Sequence, residues 1–330
     1  LWRLVHRESS YRLDTYYEVD LIALLERGET SSLRYFTLFF QQGAFRPDDR
    51  GRVFLDDVLA GSRAYAVALE EDLRENAYLA LEQLMQGFYD YGPNNLDTAD
   101  LPAVYENSLY LLYRLLFVLY GESRGLLPVG NPRYRGLYSF ARMKHEIAEA
   151  RDAGVFIARR TDRYYRQLGV LFHLINGDDP ALSAEIHIVR YNGGLFDPAQ
   201  HPFLAQKSVG DRAFATALDL LCRREAEAGG KEFADYRTLN VRHLGSIYEG
   251  LLEYQPRRAA EAMVAVRDGN GRGRSQGEQW VPEAQAPAGA KILARRRPGE
   301  VYLETDKADR KATGSYYTPQ AIVEHIVEET

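Results

Sequence analysis

Cysteine is almost missing. Cys222 is the one thiol in 330 residues, which excludes an internal disulfide framework and any multi-cysteine metal site and fits a reducing cytoplasm. It sits in a helical apolar pattern and is expected to pack in a core. Histidine is sparse and scattered: His6, His145, His173, His187, His201, His243 and His325 show no HExxH or paired spacing, so no metal site is expected. Long apolar runs are lacking too. The longest, Leu109–Tyr120, is broken by Arg114 and is too short to span a bilayer, so no membrane role is expected. The chain opens LWRLVHRESS, with no initiator Met, signal-peptide core or leader, and reads as an internal fragment of a longer protein. A net charge of −6 excludes a broadly basic nucleic-acid binder.

What is present belongs to a folded protein. The chain is 45% hydrophobic and carries 23 tyrosines, too many for a disordered segment. Its length leaves room for about two domains. Charge is uneven: Gln255–Lys311 holds 12 Lys/Arg against 8 Asp/Glu, a local +4, so the remainder carries −10. Any DNA contact is therefore expected near this basic linker.

Along the chain, Leu1–Arg7 alternates like a strand. Tyr16–Arg27 reads as a helix, and Leu33–Phe45 spaces Tyr35, Phe36, Phe39 and Phe40 as a core-facing helical stripe. Asp56–Tyr91 predicts one long helix or two, stopped at Gly92-Pro93. Leu101–Tyr120 is apolar nearly all round and should be the central helix of a bundle. Arg114 and Glu122 are expected there as buried or half-buried partners, since charges in such surroundings need pairing. Tyr134–Arg151, Asp162–Ile175, Asp211–Ala226 and Thr238–Tyr254 predict further helices. Tyr191–Leu204 predicts an ordered loop that shelters Leu195, Phe196 and Phe203. Asp268–Ala290, rich in Gly, Ser, Gln and Pro, reads as a flexible insertion. Lys291–Arg297 and Glu300–Thr305 flank Pro298-Gly299 and predict a β-hairpin.

The most informative stretch is Lys311–Val327, KATGSYYTPQAIVEHIV. Thr318 is a good N-cap, and Pro319 suits the first helical position. Ile322, Val323, Ile326 and Val327 recur at helical spacing. A helix start of this kind leaves N–H groups free for an anion, and Gly314 allows a tight turn before it. This stretch resembles motif X of adenine-N6 DNA methyltransferases, with Gly314, Tyr317, Thr318 and Pro319 matching position by position.

Three upstream segments add to that resemblance: LYRLLFVLYGESRGLLP (Leu112–Pro128), YNGGLFD (Tyr191–Asp197) and LGSIYEGLLEY (Leu244–Tyr254). In this order, ahead of RKATGSYYTP, they are similar to the helical region of type IIG restriction–modification enzymes and related phage-defence adenine methylases. The resemblance implies a mainly α fold: a helical bundle connector with a short N-terminal strand and a C-terminal β-hairpin. This would lead into a Rossmann-like methyltransferase domain that is not included. It implies 1–15 as the end of a nuclease-like domain and 16–254 as the connector. Residues 255–310 would be the basic linker with its insertion and hairpin, and 311–330 motif X.

The implied function is transfer of methyl from S-adenosylmethionine to adenine N6 in a specific sequence of double-stranded DNA, with an endonuclease fused in the parent. Gly314, Tyr316, Tyr317, Thr318 and Pro319 would line the cofactor pocket. Arg295, Arg296, Arg297, Arg310 and Lys311 would contact DNA. The chemistry itself is absent from the chain. Neither a D-P-x-x-G-S-G loop nor an N/D-P-P-Y/F segment for the extruded adenine occurs, and no PD…(D/E)xK set stands out. No catalytic residue is therefore assigned, and the fragment alone is expected to be inactive. Two alternatives stay open: a non-catalytic helical scaffold that binds protein partners, and a methylase without a nuclease.

Overall fold

The computed structural model describes residues 2–5, 16–19, 21–27, 30–191, 193–226, 229–239, 241–267, 278–287 and 289–305. The chain divides into two compact units, Leu1–Ala68 and Leu69–Thr330, and is mainly helical.

In the first unit, β1 (Trp2–Val5) pairs antiparallel with β2 (Tyr16–Val19), Trp2 opposite Val19 and Val5 opposite Tyr16. The single helix expected over Tyr16–Arg27 is thus corrected to a strand followed by the short α1 (Leu21–Arg27). Tyr16, Tyr17 and Val19 are β-prone, and pairing with β1 supplies ladder partners that outweigh the helical spacing. Next comes α2 (Thr30–Phe40), where the aromatic stripe is less buried than expected. Tyr35 is 62% exposed, while Phe36 and Phe40 stack at 5.0 Å between centroids and stay half-buried. Phe39 packs edge-on against Phe54, at 5.8 Å between centroids.

The long helix is α3 (Phe54–Asp90), one continuous element. In the second unit its buried face runs from Leu69 and Leu73 through Leu81, Leu84 and Met85 to Phe88. Next, α4 (Leu101–Ser123) is buried or half-buried almost throughout, Pro102 and Glu106 excepted, and packs against several other elements, as expected of a central helix. Around it follow α5 (Pro132–Leu137), α6 (Phe140–Asp152), α7 (Arg163–Asn176), α8 (Pro180–Ile186), α9 (Pro202–Gln206) and α10 (Asp211–Cys222). Local chemistry sets their ends. Asn131 accepts from the N–H groups of Arg133 and Tyr134 to cap α5. Gly177, at φ +80°, closes α7 in the left-handed region. Cys222 is buried, as expected, and burial pushes its thiol up to about 12, so it is inert packing.

After α10 come a small hairpin, β3 (Arg223–Glu225) with β4 (Lys231–Phe233), and then α11 (Val241–Leu251). Five strands follow: β5 (Tyr254–Arg258), β6 (Met263–Arg267), β7 (Glu278–Pro282), β8 (Ile292–Arg296) and β9 (Val301–Thr305). The strands expected at Lys291–Arg297 and Glu300–Thr305 exist, but the hairpin between them does not. Instead β8 pairs with β6 and β9 with β5, so both lie along the arm 254–267. The register continues through the break, because the Ala259 N–H donates to Glu300 O at 2.9 Å and the Gly299 N–H to Ala259 O at 2.7 Å. The turn at Pro298-Gly299 therefore carries the chain along the same partner rather than back on itself. Part of the expected flexible insertion is a strand as well: β7 flanks β6 and brings Trp280 against Tyr302, centroids 4.7 Å apart, in a small core with Ala259 and Ala265. A glycine-rich composition hid one aromatic with a place to go.

Candidate functional site

The segments that carry the resemblance meet on α4. Arg114 is 5% exposed, and its Nε donates to Leu195 O at 2.7 Å. Its guanidinium lies 5.2 Å from the Phe172 ring and 5.8 Å from that of Phe196. Phe117 packs edge-on against both Tyr191 and Phe196 at 5.2 Å, and the Tyr191 hydroxyl donates to Leu126 O at 2.8 Å. Tyr191–Asp197 is thus bound to the α4 segment at several points. The third segment docks through Tyr113, edge-on to Tyr248 at 4.4 Å, and through Tyr105, whose hydroxyl sits 2.9 Å from the carbonyls of Leu251 and Tyr254.

Arg114 and Glu122 do not pair with one another. Arg114 meets a carbonyl and two rings, its Nη2 has no hydrogen-bond partner among the described residues, and burial lowers its pKa below the ordinary arginine value. Glu122 instead accepts from the N–H groups of Phe140 (2.6 Å) and Ala141 (3.0 Å) and from the Tyr134 hydroxyl (2.8 Å). A carboxylate at the start of α6 satisfies donors that the helix leaves open. Arg114 and Glu122, on one helix, are each satisfied by a different neighbour.

The chemistry of this hub is that of a joint. Burial raises Tyr113 and holds Tyr105 up at about 12. Burial and the charge of Arg114 lower His201, which packs against Tyr110 at 4.3 Å. These side chains stay neutral near pH 7 and act by packing and hydrogen bonding.

The second feature is a clamp on the C-terminal strand. Along α3, Tyr78, Glu82 and Gln86 recur every four residues on one face. The Tyr78 hydroxyl donates to Leu303 O (3.0 Å), the Leu303 N–H to Glu82 Oε1 (3.1 Å), and the Val301 N–H to Gln86 Oε1 (2.9 Å). Side chains of α3 thus satisfy one edge of β9 while β5 pairs with the other. Pro256 lies opposite Leu303 in that pairing. Because Leu303 turns its polar groups to α3, the missing N–H of Pro256 leaves nothing unpaired.

The three consecutive arginines expected to face DNA occupy three environments. Arg295 is exposed and pairs with Glu283. Arg296 points inward, donating to Glu82 Oε2 at 2.5 Å and lying 5.2 Å from the Trp280 ring. Arg297 is exposed; its N–H donates to Glu300 Oε2 at 2.8 Å, and among the described residues no carboxylate pairs with its guanidinium. The other expected residues, Arg310, Lys311, Gly314, Tyr316, Tyr317, Thr318 and Pro319, lie outside the described residues. Sequence reasoning missed Tyr78, Glu82 and Gln86. Their signal was a polar stripe with a period of four in the mostly apolar stretch 77–88 of α3, readable as a face in need of partners.

Among the described residues no helix is long and apolar enough to cross a membrane. Comparison with protein-family models, curated proteins and solved structures returns no match.

Proposed function

We propose that this chain is the helical connector of an S-adenosylmethionine-dependent adenine-N6 DNA methyltransferase of the restriction–modification type. It would act on double-stranded DNA in the cytoplasm, with an endonuclease as a further part of the parent. The reading rests on the order of the sequence segments quoted above. The observation that carries it is the clamp on β9. That strand ends at Thr305, shortly before Lys311, and α3 and β5 hold it on both edges. A connector built this way would set the position from which residues 311–330 start a cofactor pocket. The convergence of Leu112–Pro128, Tyr191–Asp197 and Leu244–Tyr254 on one helix supports it further, since segments that resemble a family together also pack together.

The test is methyl transfer by the complete gene product from labelled S-adenosylmethionine to duplex DNA, with N6-methyladenine read by mass spectrometry. Labelled N6-methyladenine is the expected product. Absence of both cofactor binding and transfer would overturn the reading. A second reading, a scaffold for protein partners, is favoured by Leu25, Tyr35 and Leu38 of the first unit, 71%, 62% and 40% exposed.

A further inference from the structure

A cleft of about 490 Å³ opens where α6 ends, bounded by the segment after it, by α10 and by the β3–β4 hairpin. At its base is Asp219, with a side chain only 1% exposed. It accepts from Arg151 Nε at 3.0 Å, Arg223 Nε at 2.5 Å and Lys231 Nζ at 3.1 Å. Burial alone would raise this carboxyl, but the hydrogen bonds and charges of Arg223 and Lys231 outweigh it and hold the group below the ordinary value. Arg223 also takes Asp152, at 2.6 and 2.8 Å. Arg212 completes the lining; it is exposed and makes no ion pair among the described residues. Four cations therefore face two carboxylates, an excess of two positive charges. Arg151 Nη1 also donates to Thr216 Oγ1 at 2.9 Å, while the Arg212 guanidinium and the other Lys231 donors have no acceptor among the described residues.

The lip of the same cleft is apolar. Val155 and Phe156 are 58% and 79% exposed, although the backbone on either side of Phe156 is tied down. The Val155 N–H donates to Ala150 O at 2.8 Å, and Gly154 turns the chain at φ +66°. Further along, the Arg212 N–H donates to Ala158 O at 3.0 Å. An aromatic ring held in solvent on the lip of a cleft that carries net positive charge and the unpaired guanidinium of Arg212 matches a ligand that is anionic at one end and a flat ring at the other.

We propose that this cleft binds a nucleotide unit, its phosphate against Arg151, Arg212 and Lys231 and its base on Phe156. The volume falls within the range of about 300–1,000 Å³ usual for such ligands. An excess of two charges suits one phosphate monoester or two successive phosphodiesters, and an acidic peptide would leave the ring unused. The proposal stands whether or not the chain belongs to a methylase.

The test is fluorescence anisotropy at low salt on the 330-residue chain, with a labelled single-stranded oligodeoxynucleotide and a labelled duplex. Adenosine monophosphate and inorganic phosphate serve as competitors. Arg212→Glu is expected to weaken every probe about tenfold and to reduce the salt slope by about 1. Phe156→Ala should weaken the base-bearing probes several-fold and leave inorganic phosphate unchanged. Both side chains are exposed, and thermal melts confirm that the variants fold. Competition by the mononucleotide at oligonucleotide-like affinity identifies a free nucleotide as the source; binding of the polymers alone identifies a nucleic-acid strand. Wild-type chain that binds none of the probes would overturn the proposal. So would loss with Arg212→Glu but none with Phe156→Ala, which would leave a plain anion site.

Discussion

Arg296 reaches across 214 positions of sequence to Glu82, with 2.5 Å between Nη2 and Oε2. Glu82 is 2% exposed and also accepts from the Leu303 N–H. One carboxylate on α3 thus holds two strands from different sheets. Removing it leaves the Arg296 charge without its carboxylate and takes an acceptor from the Leu303 N–H in a largely buried site.

Glu82→Ala should therefore lower stability by about 3 kcal/mol, and Glu82→Gln, which keeps an acceptor, by about half as much. Arg295→Ala, removing an exposed pair with Glu283, should stay within about 0.5 kcal/mol of wild type. Urea unfolding measures all three. Equal losses at Glu82 and Arg295 would refute the clamp.

Gly210 marks a close approach of backbones. Its N–H donates to Gly87 O at 3.3 Å, and a Cβ there would collide with Arg159 O. That carbonyl cannot step aside easily, since its neighbours Ala158 and Thr161 accept from Arg212 and Asp211. Gly210→Ala is expected to cost about 2–3 kcal/mol by overpacking. Gly43→Ala, into open space, should be near neutral, within about 0.5 kcal/mol. Scanning calorimetry on both variants decides it, and a Gly210→Ala melting temperature at the wild-type value would contradict the packing.

His201 gives a pH dependence. Burial and the Arg114 charge lower its folded pKa below the ordinary 6.5, so the folded state binds fewer protons than the unfolded chain as pH falls through that value. Its contribution to stability is full above about pH 6.5 and is lost as pH falls from there towards the folded pKa. Asp219 and Asp178, with lowered carboxyls, lose theirs only below their ordinary 3.8, outside this window. His201→Gln should flatten the decline between about pH 7.5 and 5.5. An unchanged slope in unfolding free energy would rule out this source.

The cofactor proposal predicts a hierarchy in the complete gene product. Gly314→Val should raise the KM for S-adenosylmethionine strongly, by crowding a tight turn. Thr318→Ala should raise it moderately, by removing a cap that contributes about 1 kcal/mol. DNA affinity in gel shifts should stay near wild type. Lost DNA binding with unchanged cofactor dependence would place this segment on the duplex instead.

Sequence alone was sufficient for α4, the end of α3 at Gly92-Pro93, the inert Cys222 and the ordered loop around Phe196. In each case the determinant is local: an apolar period, a breaker, or large side chains among turn residues. Tertiary structure decided which strand β8 and β9 pair with, that Trp280 lies in a strand, and what Glu82 and Arg114 bind. A strand's own residues set its alternation but not its partner, which depends on register with a segment far along the chain. A Glu or Arg within a buried stretch of helix shows only that a partner is needed. Its identity comes from whatever the fold brings within about 3 Å, here a strand edge 221 residues away for Glu82 and a loop carbonyl 81 residues away for Arg114.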